Sequence, residues 1–593
     1  MPLKKFFAAR LLSTLLCAFV LNATMPAAHA QDAQRNRRVN PPPKTSAPQA
    51  TPTPPQQPAA QATPQATPQA TPQPTPSVPA PRTIEVLRAR ISDVLSQPAL
   101  APAMFGIKVV SLDTGRVLFE ENAGKLLMPA SNMKLYTVAA ALDRLGPDFR
   151  FNTSVYTQEL PDKKGKLRGD LVIYGRGDPT FATRFNGAGG GSSSSNDYFK
   201  AIDDLAARIV TAGVRHIEGD IVGDESYFTG PPRGSSWEWD DLQWYYGADV
   251  SALTVNDNAL DLSVKPGANP GDAGVVTTGP DIAYIVNTGV RQLSGLLPVS
   301  VAATPDNRSD APMIIVNNTT TTPRGTRREL SVDRPLGQPG IVVGGSLPQD
   351  DPGYTSSVSV PRPAHAFVAM LRSALERRGV SVKGRTSVVD AYMRRSAPFD
   401  ITKLVELAKR ESPPFSEIAA HTLKPSQNLY TELILRTLGK QFPPTDPRLT
   451  TAQAGLAVVR TFLNEAGINT SHLSLIDGSG LARQNLITAD STVQLLTYMS
   501  RHRYAAVYRD AQPIAGVDGT LRTRMRDTVA AGNLRAKTGT LSNVSGLSGY
   551  VTSAAGERLV FSMVVNHYPD DQPPRQNYMD AIAILLASFA GKS

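Results

Sequence analysis

The sequence predicts an α/β protein whose principal domain is discontinuous, assembled from both ends of the chain around inserted β-rich modules. Three observations lead there. Helical and strand patterns alternate at both ends of the chain, whereas the middle holds short strand-like segments and turns. Three short polar elements, at Ser131, Ser426 and Lys537, carry complementary chemistry but lie far apart, with 406 positions between the first and the last. About 510 residues follow the low-complexity start of the chain, enough for roughly three domains.

In chain order, the first element reads as an export signal, residues 1–30. Lys4, Lys5 and Arg10 precede a mostly apolar run from Leu11 to Leu21, and Ala28-His29-Ala30 offers a small-residue cleavage site. The run is too short to favour a membrane span. Cys17, the one cysteine, lies inside it, so the mature chain would carry no disulfide. Residues 31–82 form a Pro/Ala/Gln/Thr-rich tract with repeated QATP. Without aromatic residues it cannot bury a core, and it reads as a disordered linker.

A helix is expected at Thr83–Leu95, then a hairpin of strands Phe105–Ser111 and Arg116–Glu120 around Asp113-Thr114-Gly115. The apolar spacing from Leu135 to Leu145 predicts a helix with Ser131-Asn132-Met133-Lys134 at its start. Further on, Leu167–Tyr174 and His216–Val222 read as strands, each followed by a Gly-Asp turn. Gly187–Asn196 reads as a flexible Gly/Ser loop, and Asn256–Val343 as a further β-rich unit. The late part reads as helices Asn428–Leu438 and Thr451–Ala466, strands Leu534–Lys537, Ser545–Thr552 and Leu559–Asn566, and a helix Asn577–Ala590.

The chemistry rests on the three polar elements. Three residues on a helix is nearly one turn, so Ser131 and Lys134 share a face. A serine becomes a nucleophile when a base takes its proton, and an amine serves once burial or a nearby cation lowers its pKa. No other Ser-x-x-Lys occurs in the chain. In Ser426-Gln427-Asn428, Ser426 can relay a proton and Asn428 can orient Lys134 and hold an amide; helix capping is the structural alternative. In Lys537-Thr538-Gly539, a cation and a hydroxyl suit a terminal carboxylate, and the glycine lets a strand lie close to a ligand. Serine, lysine and Lys-Thr-Gly in this order are a signature of penicillin-interacting serine enzymes.

Taken together the elements resemble the low-molecular-mass class C penicillin-binding proteins, the D-alanyl-D-alanine carboxypeptidase/endopeptidase family. The resemblance extends to GDLVIYGRGDPTF (Gly169–Phe181), GDIVGDESYF (Gly219–Phe228), SSWEWDDLQWYYGADVSALTVNDN (Ser235–Asn258) and DGSGLARQNLIT (Asp477–Thr488). It implies a penicillin-recognising, transpeptidase-like (β-lactamase-like) α/β domain at 83–155 and 406–593. One inserted domain would occupy 156–260 and 345–405, and a second, nested in it, 261–344. Ser131 would be the acylated nucleophile, Lys134 its base, and Ser426 and Asn428 the shuttle and positioning pair. Lys537, Thr538, Gly539 and Thr540 would bind the substrate carboxylate, with the N–H groups of Ser131 and Thr540 as oxyanion hole. Lys424 would add positive potential. Asp224 and Arg483 would hold the free end of a diaminopimelate side chain, with Phe228 packed on its stem. The Arg176-Gly177-Asp178 tripeptide reads as a structural turn, not an adhesion signal.

The implied partners are peptidoglycan stem peptides and, as covalent inhibitors, β-lactam antibiotics; the implied location is the periplasm or cell envelope. A β-lactamase would share the acylation apparatus, but the long insertion argues against it. A catalytically slow peptidoglycan-binding protein, with the Pro-rich tract and middle domains as interaction surfaces, is a third reading; intact Ser131, Lys134, Ser426 and Lys537 argue against a dead enzyme. No metal or other cofactor is expected, since no His-Glu-x-x-His spacing occurs and the histidines read as core or surface residues. The formal charge of +10 is dispersed, and no nucleic-acid-binding motif accompanies it.

Overall fold

The computed structural model describes residues 79–187, 197–287, 312–338, 340–397, 400–569 and 573–593. The expected export signal, almost all of the Pro-rich tract, most of the Gly/Ser loop and part of the nested unit lie outside the described residues. Residues from Val78 to Ser593 form one compact unit.

A five-stranded antiparallel sheet is the frame. Its strands run in the order Arg535–Leu541, Val544–Thr552, Arg558–Asn566, Met104–Ser111, Val117–Glu121. The first three come from the end of the chain and the last two from its beginning. They meet where Met104–Ser111 pairs with Arg558–Asn566 over eight residues. One face is covered by Ile84–Leu95 and Ala581–Ser588, which share a core through Leu87, Ile91, Leu586 and Phe589. Thr83 caps the first of these helices, accepting from the Val86 N–H. The other face buries the helix Met133–Leu145 among Asn428–Gln441, Thr451–Glu465 and Ala489–Ser500. Thr450 and Thr488 close capping boxes at the starts of the last two.

The inserted region has its own sheet, in the order Thr386–Val389, Ile221–Asp224, Leu171–Tyr174, Asn152–Thr157, Val405–Glu411. The helices Lys200–Thr211 and Pro363–Arg377 share its apolar core. The expected boundaries at 155/156 and 405/406 fall within or at the edge of strands of this sheet. The change of sheet comes earlier, where Phe151 and Ser412 exchange hydrogen bonds of 2.9 and 3.0 Å. Beyond it, Ala259–Lys265, Val275–Gly279 and Tyr354–Ser359 form a three-stranded sheet. Ala283–Asn287, Met313–Thr322, Gly340–Pro348 and Glu329–Asp333 form a four-stranded one. The strand Ala259–Lys265 spans the expected boundary at 260/261.

Two strands expected to be continuous are each broken. Lys166–Leu167 and His216–Ile217 pair in one sheet, while Leu171–Tyr174 and Ile221–Asp224 pair in another. The breaks are Gly169-Asp170 and Gly219-Asp220, which pack on each other. Asp170 accepts from the Asp220 N–H at 2.8 Å, and a Cβ at Gly219 would lie 2.6 Å from the Gly169 carbonyl oxygen. Arg176-Gly177-Asp178 is irregular backbone between the strand Leu171–Tyr174 and a turn at Pro179-Thr180, with Gly177 at φ +80° and Asp178 buried against Arg410 at 3.0 Å.

Candidate active site

Ser131 sits in a single 3-10 turn, Ala130–Asn132, that leads into the helix Met133–Leu145. The turn is tight: Ala130 has φ +47°, in the left-handed region that β-carbon-bearing residues avoid. Its neighbours make room for it. A Cβ at Gly480 would lie 1.9 Å from the Ala130 carbonyl oxygen, and one at Gly539 would lie 2.7 Å from that of Pro129 and 3.3 Å from the Ser131 nitrogen. Gly539 therefore lets the strand Arg535–Leu541 lie directly against the nucleophile turn. Gly546, on the neighbouring strand, does the same for Asn132.

One turn into the helix, Lys134 is fully buried. Its Nζ lies 2.8 Å from Ser131 Oγ, 2.5 Å from Asn428 Oδ1 and 2.7 Å from the Ser479 carbonyl oxygen. Among the described residues, no carboxylate touches it. Burial brings its pKa down to about 7, against the opposing pull of Asp477 and Glu432. The three partners divide its valences. A neutral amine has two N–H groups and one lone pair. Asn428 Oδ1 and the Ser479 carbonyl can only accept, which leaves the lone pair to the one partner able to donate, the Ser131 hydroxyl.

The second element is a loop between the helices Phe415–Leu423 and Asn428–Gln441. Ser426 takes φ +66°, and its Oγ accepts from Lys537 Nζ at 2.8 Å. Capping of the following helix falls to Gln427, whose Oε1 accepts from the Leu429 N–H at 3.2 Å. Ser426 and Asn428 are thereby left to face the site. Asn428 Nδ2 donates to the Tyr246 carbonyl at 2.8 Å, which fixes its oxygen toward Lys134.

Lys537 is also fully buried, and its Nζ donates to Ser426 Oγ and, at 2.8 Å, to the Thr538 carbonyl. Burial, with the Lys134 charge adding to it, holds its pKa well below the ordinary lysine value. Its strand is at the sheet edge. Thr538 Oγ1 lies 2.7 Å from Thr520 Oγ1, and Thr540 is exposed. Lys424 is ion-paired with Asp518, so its charge is offset.

Sequence reasoning missed the support around Lys134. Asp477 accepts from the Gly480 and Ala482 N–H groups at 2.7 and 2.8 Å, from Asn485 Nδ2 at 2.8 Å and from Trp237 Nε1 at 2.9 Å. Glu432, one turn after Asn428, accepts from the Gly478 and Ser479 N–H groups at 3.0 and 2.8 Å. Together they fix the loop that turns the Ser479 carbonyl to Lys134. Burial and Asp477 raise the Glu432 pKa to about 7. An Asp-Gly-Ser-Gly run signals such a loop, but nothing local says which helix receives it.

Two expectations are corrected. Asp224 is fully buried and paired with Arg394 at 2.8 Å, at the end of an inserted-sheet strand. Arg483 has a different partner: its Nε lies 2.8 Å from Glu238, and its Nη1 donates to the Ser542 carbonyl at 3.2 Å. The structure thus brings Arg483 beside the strand that carries Lys537 and leaves Asp224 inside the inserted region. Phe228 is not free to line a substrate stem; it is buried against Leu429, Tyr430 and Leu433. His421 is half-buried, with its ring 4.5 Å from that of Phe185.

Comparison with known proteins agrees with this arrangement. Residues 87–296 and 300–588 match the model of the D-Ala-D-Ala carboxypeptidase 3 (S13) family. The chain is 36% identical to the D-alanyl-D-alanine carboxypeptidase of Actinomadura sp. (strain R39), with 85% of each chain covered. It is 24% identical to D-alanyl-D-alanine carboxypeptidase DacB of Haemophilus influenzae, over 81% of this chain and 88% of that one. The crystal structure of penicillin binding protein 4 (dacB) from Haemophilus influenzae superposes with a TM-score of 0.66 at 22% identity, covering 84% of this chain and 99% of that one. That likeness establishes the penicillin-recognising serine hydrolase fold expected from the motifs. With its sheet closed by both chain ends and a buried lysine at the nucleophile turn, the chain belongs to the D-Ala-D-Ala carboxypeptidase 3 (S13) family.

Proposed function

We propose that this serine-type D-Ala-D-Ala carboxypeptidase acts on peptidoglycan stem peptides through an acyl-enzyme on Ser131, with Lys134 as the base. The observation that carries the assignment of roles is the set of three partners around Lys134 Nζ, which leaves its lone pair for the Ser131 proton. As Ser131 Oγ bonds the D-alanyl carbonyl carbon, its proton passes to Lys134. The developing oxyanion is met by the N–H groups of Ser131 and Thr540. The C–N bond then breaks, and the proton returns through Lys134 and Ser426 to the leaving amine. Water cleaves the ester by the same route in reverse, regenerating Ser131.

Lys537, Thr538 and Thr540 bind the terminal carboxylate, and the free edge of their strand pairs with the extended peptide. The leaving amine is D-alanine in carboxypeptidase action and the side-chain amine of a neighbouring stem in endopeptidase action. A β-lactam presents its strained amide to the same serine and is a covalent inhibitor. Where the substrate side chain ends in both an amine and a carboxylate, Arg483 and the acidic group Glu238, Asp240 and Asp241 beside it are the cation and anions that fit. The expected leader at residues 1–30 directs the protein to the envelope, where it serves cell-wall remodelling. No described helix is long and apolar enough to cross a membrane.

The test is fluorescent penicillin labelling combined with product analysis on a pentapeptide and on cross-linked peptidoglycan. The reading expects labelling at Ser131, release of D-alanine and cleavage of cross-links. Rapid drug hydrolysis without D-alanine release would instead make the protein a β-lactamase.

A further inference from the structure

Beside Lys537 and Thr538 runs a segment that no motif announces, residues 513–521. It lies along the strand Arg535–Leu541, with the Ala536 N–H donating to the Pro513 carbonyl at 3.0 Å. It is also clamped to the loop that carries Ser426. Asp518 pairs with Lys424 through one carboxylate oxygen and accepts from the Ile514 N–H at 2.8 Å through the other. The 3-10 turn Gly519–Leu521 follows. Gly519 has φ +54°, and a Cβ there would lie 2.5 Å from the Lys424 carbonyl oxygen, so a side chain would push the two segments apart. The Thr520 N–H donates to that same carbonyl at 3.0 Å.

This clamp sets an exposed threonine against the Lys-Thr-Gly element. Thr520 Oγ1 lies 2.7 Å from Thr538 Oγ1. The turn is already held by the Asp518 carboxylate, the Thr520 N–H and the close contact at Gly519, so the hydroxyl is not needed to keep it in place.

The protons of the pair can be counted. Each hydroxyl has one proton and two lone pairs. Their mutual hydrogen bond uses one proton. Among the described residues, the other has no acceptor. A carboxylate is the ligand that completes this arrangement. It has two oxygens, only accepts, and can take both protons, which exchanges one neutral hydrogen bond for two charge-assisted ones. An ester end carries no charge and offers one good acceptor, its carbonyl oxygen. The two hydroxyls together therefore discriminate between a charged and a neutral end more sharply than Thr538 alone.

We infer that Thr520 is a specificity-determining residue, whose hydroxyl acts with that of Thr538 to select ligands that end in a free carboxylate. The inference rests on the reading that Lys537 and Thr538 bind that carboxylate. It adds a residue from outside the three polar elements, delivered to the site by the contacts of residues 513–521 with the Ser426 loop.

The test uses the full chain and two probes, benzylpenicillin and its methyl ester, and measures the second-order acylation rate of each. The readout is the acid-to-ester ratio. Both rates come from one preparation, so any misfolded fraction cancels. Thr520→Val replaces the hydroxyl by a methyl group of the same shape and should lower the ratio by about tenfold, the lower end of the range for a hydrogen bond to a charged group. Thr520→Ser keeps the hydroxyl and should restore the ratio. A wild-type ratio in Thr520→Val, or a rate loss shared equally by acid and ester, would overturn the role of Thr520 and leave the carboxylate reading standing. A ratio as low in Thr520→Ser as in Thr520→Val would also overturn it, since the hydroxyl would not be the group that matters. Wild-type protein that acylates acid and ester at equal rates would overturn the carboxylate reading itself, and the role of Thr520 with it.

Discussion

Two fully buried charged residues, Lys134 in the catalytic region and Asp224 in the inserted sheet, are treated in opposite ways. Asp224 meets the Arg394 guanidinium at 2.8 Å and also accepts from the Ser226 N–H at 2.9 Å, so its charge is compensated on the spot. Lys134 meets only neutral oxygens, and burial brings its pKa to about 7. A paired buried charge locks a structure; an unpaired one is kept ready to lose its proton. Burial alone does not mark a site. What marks it is burial without a counter-ion in contact, next to a group that can donate a proton.

Substitutions can break this contrast. The largest effect belongs to Ser131→Ala, which should lower acylation by on the order of 10⁴-fold or more while the protein stays folded. Penicillin labelling followed by peptide mapping checks it, and labelling at another serine would contradict the assignment. Asp224→Ala should act on stability instead, by about 1–3 kcal/mol, because it removes the buried carboxylate that accepts from Arg394 and from the Ser226 N–H. Denaturant unfolding measures that loss, and activity on diaminopimelate-bearing and aliphatic peptides should fall equally in whatever protein remains folded. A loss selective for the diaminopimelate peptide would return Asp224 to substrate reading.

Lys134→Arg keeps the charge but offers no base at working pH, so acylation should drop by at least about a hundredfold. Near-normal stopped-flow acylation by this variant would show that the position needs only a cation. The smallest effect sharpens the contrast at the rim. Arg483→Ala should reduce kcat/KM on a peptide with a zwitterionic side chain by about 1.5–3 kcal/mol relative to an aliphatic one, as for a bond to a charged group. Equal losses on the two peptides would make the Arg483–Glu238 pair purely structural.

Many strands and helices of the catalytic region were legible in the sequence from apolar runs bounded by turn or cap residues, but the helices Phe415–Leu423, Ala489–Ser500 and Ala505–Asp510 were not read. The discontinuous fold was legible because Ser131, Ser426 and Lys537 make chemical sense only together. The breaks at Gly169-Asp170 and Gly219-Asp220 were not, because each glycine is explained by a neighbour far away in sequence. The same holds for Asp224. Its motif marks it as special, but its partner, Arg394, is 170 positions away and has no signature of its own. Glu432 and Asp477 were missed because they act through backbone groups, holding the Ser479 carbonyl in place. Such support depends on where a loop packs, and local pattern does not record that.

The central claim is that an uncompensated amine at Lys134 takes the Ser131 proton. The most direct measurement is the pH dependence of the second-order acylation rate with a non-ionising substrate. Lys134 must be neutral to act, and its pKa is about 7. The rate should therefore rise with pH and level off above about 7, and the rise should persist in Glu432→Gln with its midpoint moved down, because that variant removes both the neighbouring group that titrates near 7 and the charge that holds the Lys134 pKa up. A profile that is flat from about pH 5 to 9, a midpoint near the ordinary lysine value of about 10.4, or a rise that disappears in Glu432→Gln would contradict the account.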